Sequence, residues 1–347
     1  MPINYRSYLF NFGYSFSGGG LKRLTEYSNW YNLRGGTTFI IRKECSSLVD
    51  TYKNNKYIII KLSAFEKLFN SASYIKEAIK IVGRPDFYYS YGIPMNFKVG
   101  EINWFHLSSV LPMTGAKGFV DFPESLKLNI LGYNINRKLD NCDIISAESH
   151  YSLSLFDKRY ENKFFLSVNG SDVEINNSLK LRQKDYKNIA ISVGTYKYKS
   201  LEDVYSVFRS LKAKEPNLIL KIIGGVSAIP ESLKNKDDVV FMGIIPRTEV
   251  VNILSSSKYY ISATKVENSY NAASEGIFLA SESIISDIVP HRELLQGEPY
   301  TVCEFPGSKR TYLHVNKKEI SSTNLKSWDD VVTDMNTKIE FLVNAGQ

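Results

Sequence analysis

Short runs of β-branched and aromatic residues alternate with longer stretches of helical periodicity along the whole 347-residue chain. No other feature constrains its fold as strongly. Parallel strands need a crossover of a dozen or more residues, which a helix supplies, so repeated strand–helix–strand order predicts parallel α/β architecture. In the first half, strands are expected at Tyr8–Phe12, Thr37–Ile41, Tyr57–Leu62, Phe87–Tyr91 and Ile102–His106. Between the third and fourth, Ser63 and Glu66 form a capping box. Phe65, Leu68, Phe69, Ala72, Ile75, Ile79 and Val82 then recur at helical spacing until Gly83 and Pro85 stop the helix.

The second half restarts the pattern. Its expected strands are Ile189–Val193, Ile219–Ile223, Val239–Met242, Tyr259–Ile261 and Glu282–Ile285. Its expected helices are Leu201–Ala213, Thr248–Ser255 and Asn271–Leu279, with a last one near Trp328–Leu342. The stretch Asn169–Asn188 is polar and reads as a linker. A chain of this length accommodates two domains. The expected division is 1–165, 166–325, and a closing helix at 326–347 that packs back towards the first domain.

Composition narrows the function. Apolar runs such as Tyr57-Ile58-Ile59-Ile60 fall far short of the roughly 20 residues of a membrane-spanning helix. The N-terminus shows no signal-peptide core. Three scattered cysteines, Cys45, Cys142 and Cys303, make neither a disulfide framework nor a zinc motif and fit the reducing cytoplasm. Up to residue 165 there are 21 Lys and Arg against 14 Asp and Glu, and from 166 onward 22 against 22. The excess positive charge therefore sits in the first half. It is either a solubility surface or a face for something anionic, such as a phospholipid headgroup or a lipid-diphosphate acceptor. The basic residues are dispersed and carry no nucleic-acid-binding motif.

Two segments could carry chemistry. Gly18-Gly19-Gly20 lies between the first strand and an expected helix Leu21–Tyr31, where backbone amides can approach a phosphate, although a flexible turn is an equal reading. Glu267 and Glu275, eight residues apart, fall in the loop after strand Tyr259–Ile261 and inside the next helix. Open α/β sheets bind ligands at the carboxyl ends of their strands. Two carboxylates there can grip two hydroxyl-bearing parts of one ligand; two unrelated surface glutamates are the plainer alternative.

The residues around these glutamates resemble a family. Val193-Gly194-Thr195-Tyr196-Lys197-Tyr198-Lys199-Ser200, a helix, and Leu220-Lys221-Ile222-Ile223-Gly224-Gly225 look like the opening of the donor domain of family-4-type GT-B glycosyltransferases. Phe241-Met242-Gly243, the Glu-x7-Glu element and Ser286-Asp287-Ile288-Val289-Pro290-His291-Arg292-Glu293 follow in the same order. Asn169-Gly170-Ser171-Asp172 is similar to the family's NGxD at the domain junction. The glycine run, Trp104-Phe105-His106-Leu107-Ser108-Ser109-Val110-Leu111-Pro112 and Trp328 extend the likeness more loosely.

That resemblance implies two Rossmann-like domains facing each other across a cleft, and transfer of a sugar from a nucleotide diphosphate donor to an acceptor hydroxyl, with retention and without a metal or other cofactor. It implies that Glu275 holds the donor ribose, Glu267 contacts donor-sugar hydroxyls, and Lys199 neutralises the diphosphate. Backbone amides around Ser269, Tyr270 and Asn271 would hold phosphates, and His106 would lie beside the anomeric carbon. Gly18, Gly19 and Gly20 fit the donor side. Two departures stand out. Thr195 occupies the place of a family arginine, for which Arg247 is the candidate replacement. Glu267-Asn268-Ser269-Tyr270 stands where many members read EGFG, so glycine's backbone freedom is lost there. With the basic first half, the resemblance points to a glycan or lipid-linked glycan acceptor, as in lipopolysaccharide-type polysaccharide assembly, and to peripheral contact with an anionic membrane. A GT-B sugar-nucleotide epimerase and a degenerate GT-B partner subunit are the competing readings. A Rossmann dehydrogenase lacks its GxGxxG here.

Overall fold

The computed structural model describes residues 7–62, 72–115, 118–171, 186–225, 229–269, 271–320 and 326–345. The chain divides into two units: residues 1–117, 121–170 and 326–347, and residues 118–120 and 171–325. The first unit thus continues to residue 170 rather than 165. The expected capping box at Ser63 and Glu66, the middle of the expected linker and Asp172 lie outside the described residues.

The first unit is built on seven strands: β1 (Tyr8–Asn11), β2 (Thr38–Arg42), β3 (Lys56–Ile60), β4 (Phe87–Tyr91), β5 (Ile102–His106), β6 (Ile144–Ala147) and β7 (Phe164–Leu166). They lie in the order β3-β2-β1-β4-β5-β6-β7, and every pairing is parallel. The described helices of this unit are α1 (Gly18–Asn32), α2 (Ser47–Thr51), α3 (Ala72–Val82), α4 (Glu124–Lys138), α5 (His150–Ser154) and, after the second unit, α11 (Trp328–Ala345). One face of the sheet is unusually aromatic. Phe10 stacks on Phe39 with ring centroids 5.2 Å apart, and Phe12 on Tyr91 at 5.1 Å. Against these rings α1 buries Leu24, Tyr27, Trp30 and Tyr31, and α11 buries Trp328, Val331, Val332, Met335 and Ile339. Such rings bury large apolar areas and dominate core energetics.

The second unit holds β8 (Lys187–Val193), β9 (Ile219–Ile223), β10 (Val239–Gly243), β11 (Ser257–Ser262), β12 (Glu282–Ser286), β13 (Thr301–Glu304) and β14 (Thr311–Asn316), with α6 (Leu201–Lys212), α7 (Glu231–Lys234), α8 (Arg247–Ser256), α9 (Asn271–Leu279) and α10 (Val289–Leu294). The order is β10-β9-β8-β11-β12-β14-β13. The strands are parallel except that β14 runs against both β12 and β13. Period-two alternation gives this sheet two buried faces. Leu220, Ile222, Tyr259 and Ile261 meet α6 and α7 on one; Ile191, Tyr260 and Ile285 meet α8, α9 and α10 on the other.

Every strand expected from the sequence is present, with ends moved by two residues at most. The glycine run differs from its expected placement: Gly18 opens α1 instead of preceding it, with φ of +58°. Helices α2, α4, α5, α7 and α10 and strands β6, β7, β13 and β14 were not expected.

Candidate functional site

The second unit gathers most of the expected donor residues at the carboxyl ends of β8 and β11. Strand β8 ends at Val193, and Gly194 turns the chain with φ of +94°, a conformation that favours glycine. Thr195 is 7% exposed, and its hydroxyl donates to the Gly225 carbonyl at 2.7 Å. This threonine therefore ties β8 to the loop after β9, and its hydroxyl proton is already engaged. A single 3₁₀ turn at Lys197–Lys199 follows, closed by Lys199 N–H to the Tyr196 carbonyl at 2.8 Å. Ser200 then takes φ of +50° and leads into α6, the one described non-glycine residue with positive φ. Strained backbone of this kind concentrates at functional sites.

This turn delivers Lys199 to the β11 loop. Its ammonium donates to Glu267 in a close ion pair whose side chains are only 13% and 18% exposed. The loop itself is braced from below. The Ser286 hydroxyl donates to the Thr264 carbonyl at 2.7 Å, Thr264 to the Val266 carbonyl at 3.0 Å, and the Lys265 amide to the Tyr198 carbonyl at 2.7 Å.

Glu275 sits in α9, two turns along. Arg247, at the start of α8, donates to it at 2.7 Å, with side-chain exposures of 40% and 17%. Arg247 was the candidate to replace a diphosphate-binding arginine; in this structure its guanidinium is paired with Glu275. Gly276 sets how closely α9 approaches β11, because a Cβ there would lie 2.1 Å from Cδ1 of Tyr260. Asn271 begins α9, its carbonyl accepting from the Ser274 hydroxyl at 2.8 Å. Ser269 precedes it, and Tyr270 lies outside the described residues.

In the second unit, sequence reasoning missed His291. His291, at the start of α10, is fully buried. Its Nδ1 donates to the Ser286 carbonyl at 2.7 Å, and no described group hydrogen-bonds its Nε2. Burial lowers its pKa, and the charges of Glu267 and Lys199 both reach the ring. The histidine inside the family-like Pro290-His291-Arg292-Glu293 segment was the available signal. Outside the ion pair, Tyr196 and Tyr198 stack with planes 5° apart and centroids at 5.4 Å.

The remaining expected residues belong to the first unit. His106 ends β5 and is fully buried. Its ring stacks on Tyr91 at 5.2 Å, and its Nδ1 lies 2.8 Å from Ser146 Oγ, which also accepts from Trp104 Nε1 at 2.6 Å. Its Nε2 stands 3.5 Å from Glu148 Oε1. Burial first, then Arg23, pushes its pKa down to about 4, so the imidazole is neutral at pH 7. Arg23, also fully buried, is the centre of this cluster. It bonds Tyr27, Ser167 and Asn169 at 2.9–3.3 Å and approaches Glu148 to 3.6 Å. Neither Arg23 nor Glu148 was singled out from the sequence. An arginine on the apolar stripe Leu24, Tyr27, Trp30 was the signal. Gly18 has open space where a Cβ would be, whereas one on Gly20 would meet Ser15 at 3.0 Å and Tyr91 at 3.1 Å.

Among the described residues no three His, Cys, Asp or Glu side chains gather as a metal-holding group, and no helix is long and apolar enough to cross a membrane.

Comparison with known proteins bears on this arrangement. Residues 174–276, which include the ion pairs and the start of α9, match the family model described as glycosyl transferases group 1. No curated protein matches in sequence. Solved structures do match in fold. WaaG, a glycosyltransferase involved in lipopolysaccharide biosynthesis, superposes with a TM-score of 0.61 at 12% identity, covering 84% of each chain. An α,α-trehalose-phosphate synthase (UDP-forming) from Burkholderia vietnamiensis gives 0.58 at 11%, covering 84% of this chain and 87% of that one. Anabaena HepE, in complex with UDP and glucose, gives 0.54 at 15%, covering 79% of each. The matched segment is similar to the glycosyl transferases group 1 family, and the chain shares the GT-B fold of these glycosyltransferases.

Proposed function

We propose that the chain moves a sugar from a nucleotide diphosphate donor to a hydroxyl of a glycan or lipid-linked glycan, with the donor held in the second unit. The observation that carries this reading is the pairing of the two spaced glutamates, each with a cation from a different segment: Lys199 with Glu267, and Arg247 with Glu275. Both pairs lie at the carboxyl edge of a parallel sheet, where such folds take ligands. Lys199 exchanges Glu267 for the donor diphosphate, and the released carboxylate accepts from donor-sugar hydroxyls. Glu275 accepts from the ribose, with Arg247 beside it. Amides at Ser269–Asn271 add phosphate contacts at the start of α9.

Breaking the glycosidic bond builds negative charge on the leaving phosphate. A lysine held by a tight turn and already turned to the donor favours that state over the ground state. In this reading the reaction retains anomeric configuration and uses no metal. In the first unit His106 is a neutral imidazole stacked on Tyr91 and set beside Glu148. UDP-glucose is the first donor to try, because HepE is described in complex with UDP-glucose.

The acceptor assignment rests on the basic first half and on α4. That helix exposes Leu126 and Tyr133 beside Lys127 and Arg137, next to a strongly exposed Phe122, a pairing of apolar and cationic groups that suits an anionic lipid surface. We place the enzyme in the cytoplasm at the inner membrane face; its three cysteines are free thiols.

A thermal-shift panel of nucleoside diphosphates and their sugars tests the donor reading. A ligand at 100 times its Kd adds about 2.7 kcal/mol to the folded state. A rise in Tm with one nucleotide diphosphate and its sugar, followed by transfer to an added glycan, is the expected result. No shift from any nucleotide would contradict it.

A further inference from the structure

The tyrosines outside the ion pair have no part in the donor chemistry described above. Tyr196 is 62% exposed, Tyr198 is half-buried behind it, and their rings are parallel. The stack is continuous with the reactive end of the site: Lys199 Nζ lies 5.7 Å from the Tyr198 ring centroid and bonds Glu267. It is also rigid. Tyr196 caps the 3₁₀ turn, and the Tyr198 carbonyl is held by the Lys265 amide at 2.7 Å. Burial, then the charge of Glu267, raises the Tyr198 pKa, so its ring stays a neutral phenol.

We infer that Tyr196, backed by Tyr198, is a platform for a pyranose ring, whose C–H face lies flat on an aromatic ring while its hydroxyls point outward to polar groups. The inference rests on the donor reading for its position but makes a separate claim. A nucleobase is the less suitable occupant. Glu275 and Arg247, which take the ribose in that reading, belong to helices α8 and α9 on one face of the sheet, whereas the tyrosines lead into α6 on the other. The base hangs from the ribose end; the tyrosines flank the sugar end. With Glu267 engaged by the donor sugar, the ring on Tyr196 belongs to the acceptor.

Saturation-transfer NMR on the full chain tests this, with methyl glucopyranoside, galactopyranoside, mannopyranoside and N-acetylglucosaminide as probes. At least one is expected to take up saturation, strongest on the protons of one ring face. The signal should fall about threefold to tenfold in Tyr196→Ala, as for the loss of one aromatic contact, and persist in Tyr196→Phe. At this exposed position neither variant should alter Tm. Competition by UDP-glucose assigns the ring to the donor and overturns the acceptor assignment; persistence with UDP-glucose bound supports it. Equal saturation of wild type and Tyr196→Ala, or none with any pyranoside, overturns the platform. The UDP thermal shift reads the donor site independently. A shift with no pyranoside signal sinks only the platform, and a Tyr196-dependent pyranoside signal with no shift sinks only the donor reading.

Discussion

Replacing Lys199 by Met separates two roles that the structure gives one side chain. Lys199 and Glu267 form a mostly desolvated pair, 13% and 18% exposed. Removing the lysine leaves Glu267 without that cation, at a cost between the 0–1 kcal/mol of an exposed pair and the 3–5 kcal/mol of a broken buried one, about 1–3 kcal/mol. If Lys199 also receives the leaving diphosphate, the same change removes a preorganised charge that acts in the transition state. Loss of one such donor lowers kcat by about 10²–10³. The two effects are distinguished in a Glu267→Gln background, where no carboxylate remains to be stranded. Lys199→Met should there cost little stability and still lower kcat by at least about 10² relative to Glu267→Gln alone. Steady-state release of UDP from the donor, with thermal unfolding alongside, provides both readouts. A kcat penalty under tenfold in that background would mean that Lys199 serves only to balance Glu267.

Three further outcomes follow from the geometry. Glu275→Gln should weaken UDP binding about 10- to 100-fold by calorimetry, the range for one charge-assisted hydrogen bond, with little change in Tm without ligand; unchanged affinity would remove its ribose role. Gly276→Ala forces a methyl to within 2.1 Å of the Tyr260 ring. It should cost about 1–3 kcal/mol in urea unfolding and also weaken UDP binding as α9 carries Glu275 away; a neutral variant would show that the helix shifts freely. His106 has a folded pKa of about 4, below the ordinary 6.5, so the unfolded chain binds its proton first. Its stability contribution is complete above pH 6.5 and is lost as pH falls towards 4, at about 1.4 kcal/mol per pH unit. His106→Gln should flatten the fall in stability over that range, and an unchanged slope would place the acid sensitivity elsewhere, His291 first.

The strands were legible because β-branched and aromatic runs such as Ile219–Ile223 and Phe87–Tyr91 carry the signal within themselves. Helix α4 was hidden for a physical reason. Its sequence lacks a clean apolar stripe, and it is seated by Gly132, where a Cβ would fall 2.0 Å from the Pro112 carbonyl oxygen. Strands β6 and β7 are only four and three residues long, and β14 reverses direction, so neither length nor strand–helix rhythm announced them. At the site, sequence named Lys199, Glu267, Arg247 and Glu275 but not who pairs with whom, because partners 68 and 28 residues apart meet only through the sheet. The Arg23–Glu148–His106 cluster went unseen for the same reason: its members come from α1, the end of β6 and the end of β5.

The most direct measurement is a crystal structure with UDP or an unhydrolysed UDP-sugar bound. The expected result is a diphosphate against Lys199 and the amides at the start of α9, the ribose on Glu275, and the Lys199–Glu267 pair opened. A nucleotide lodged elsewhere, with both ion pairs still closed, would contradict the proposed donor site.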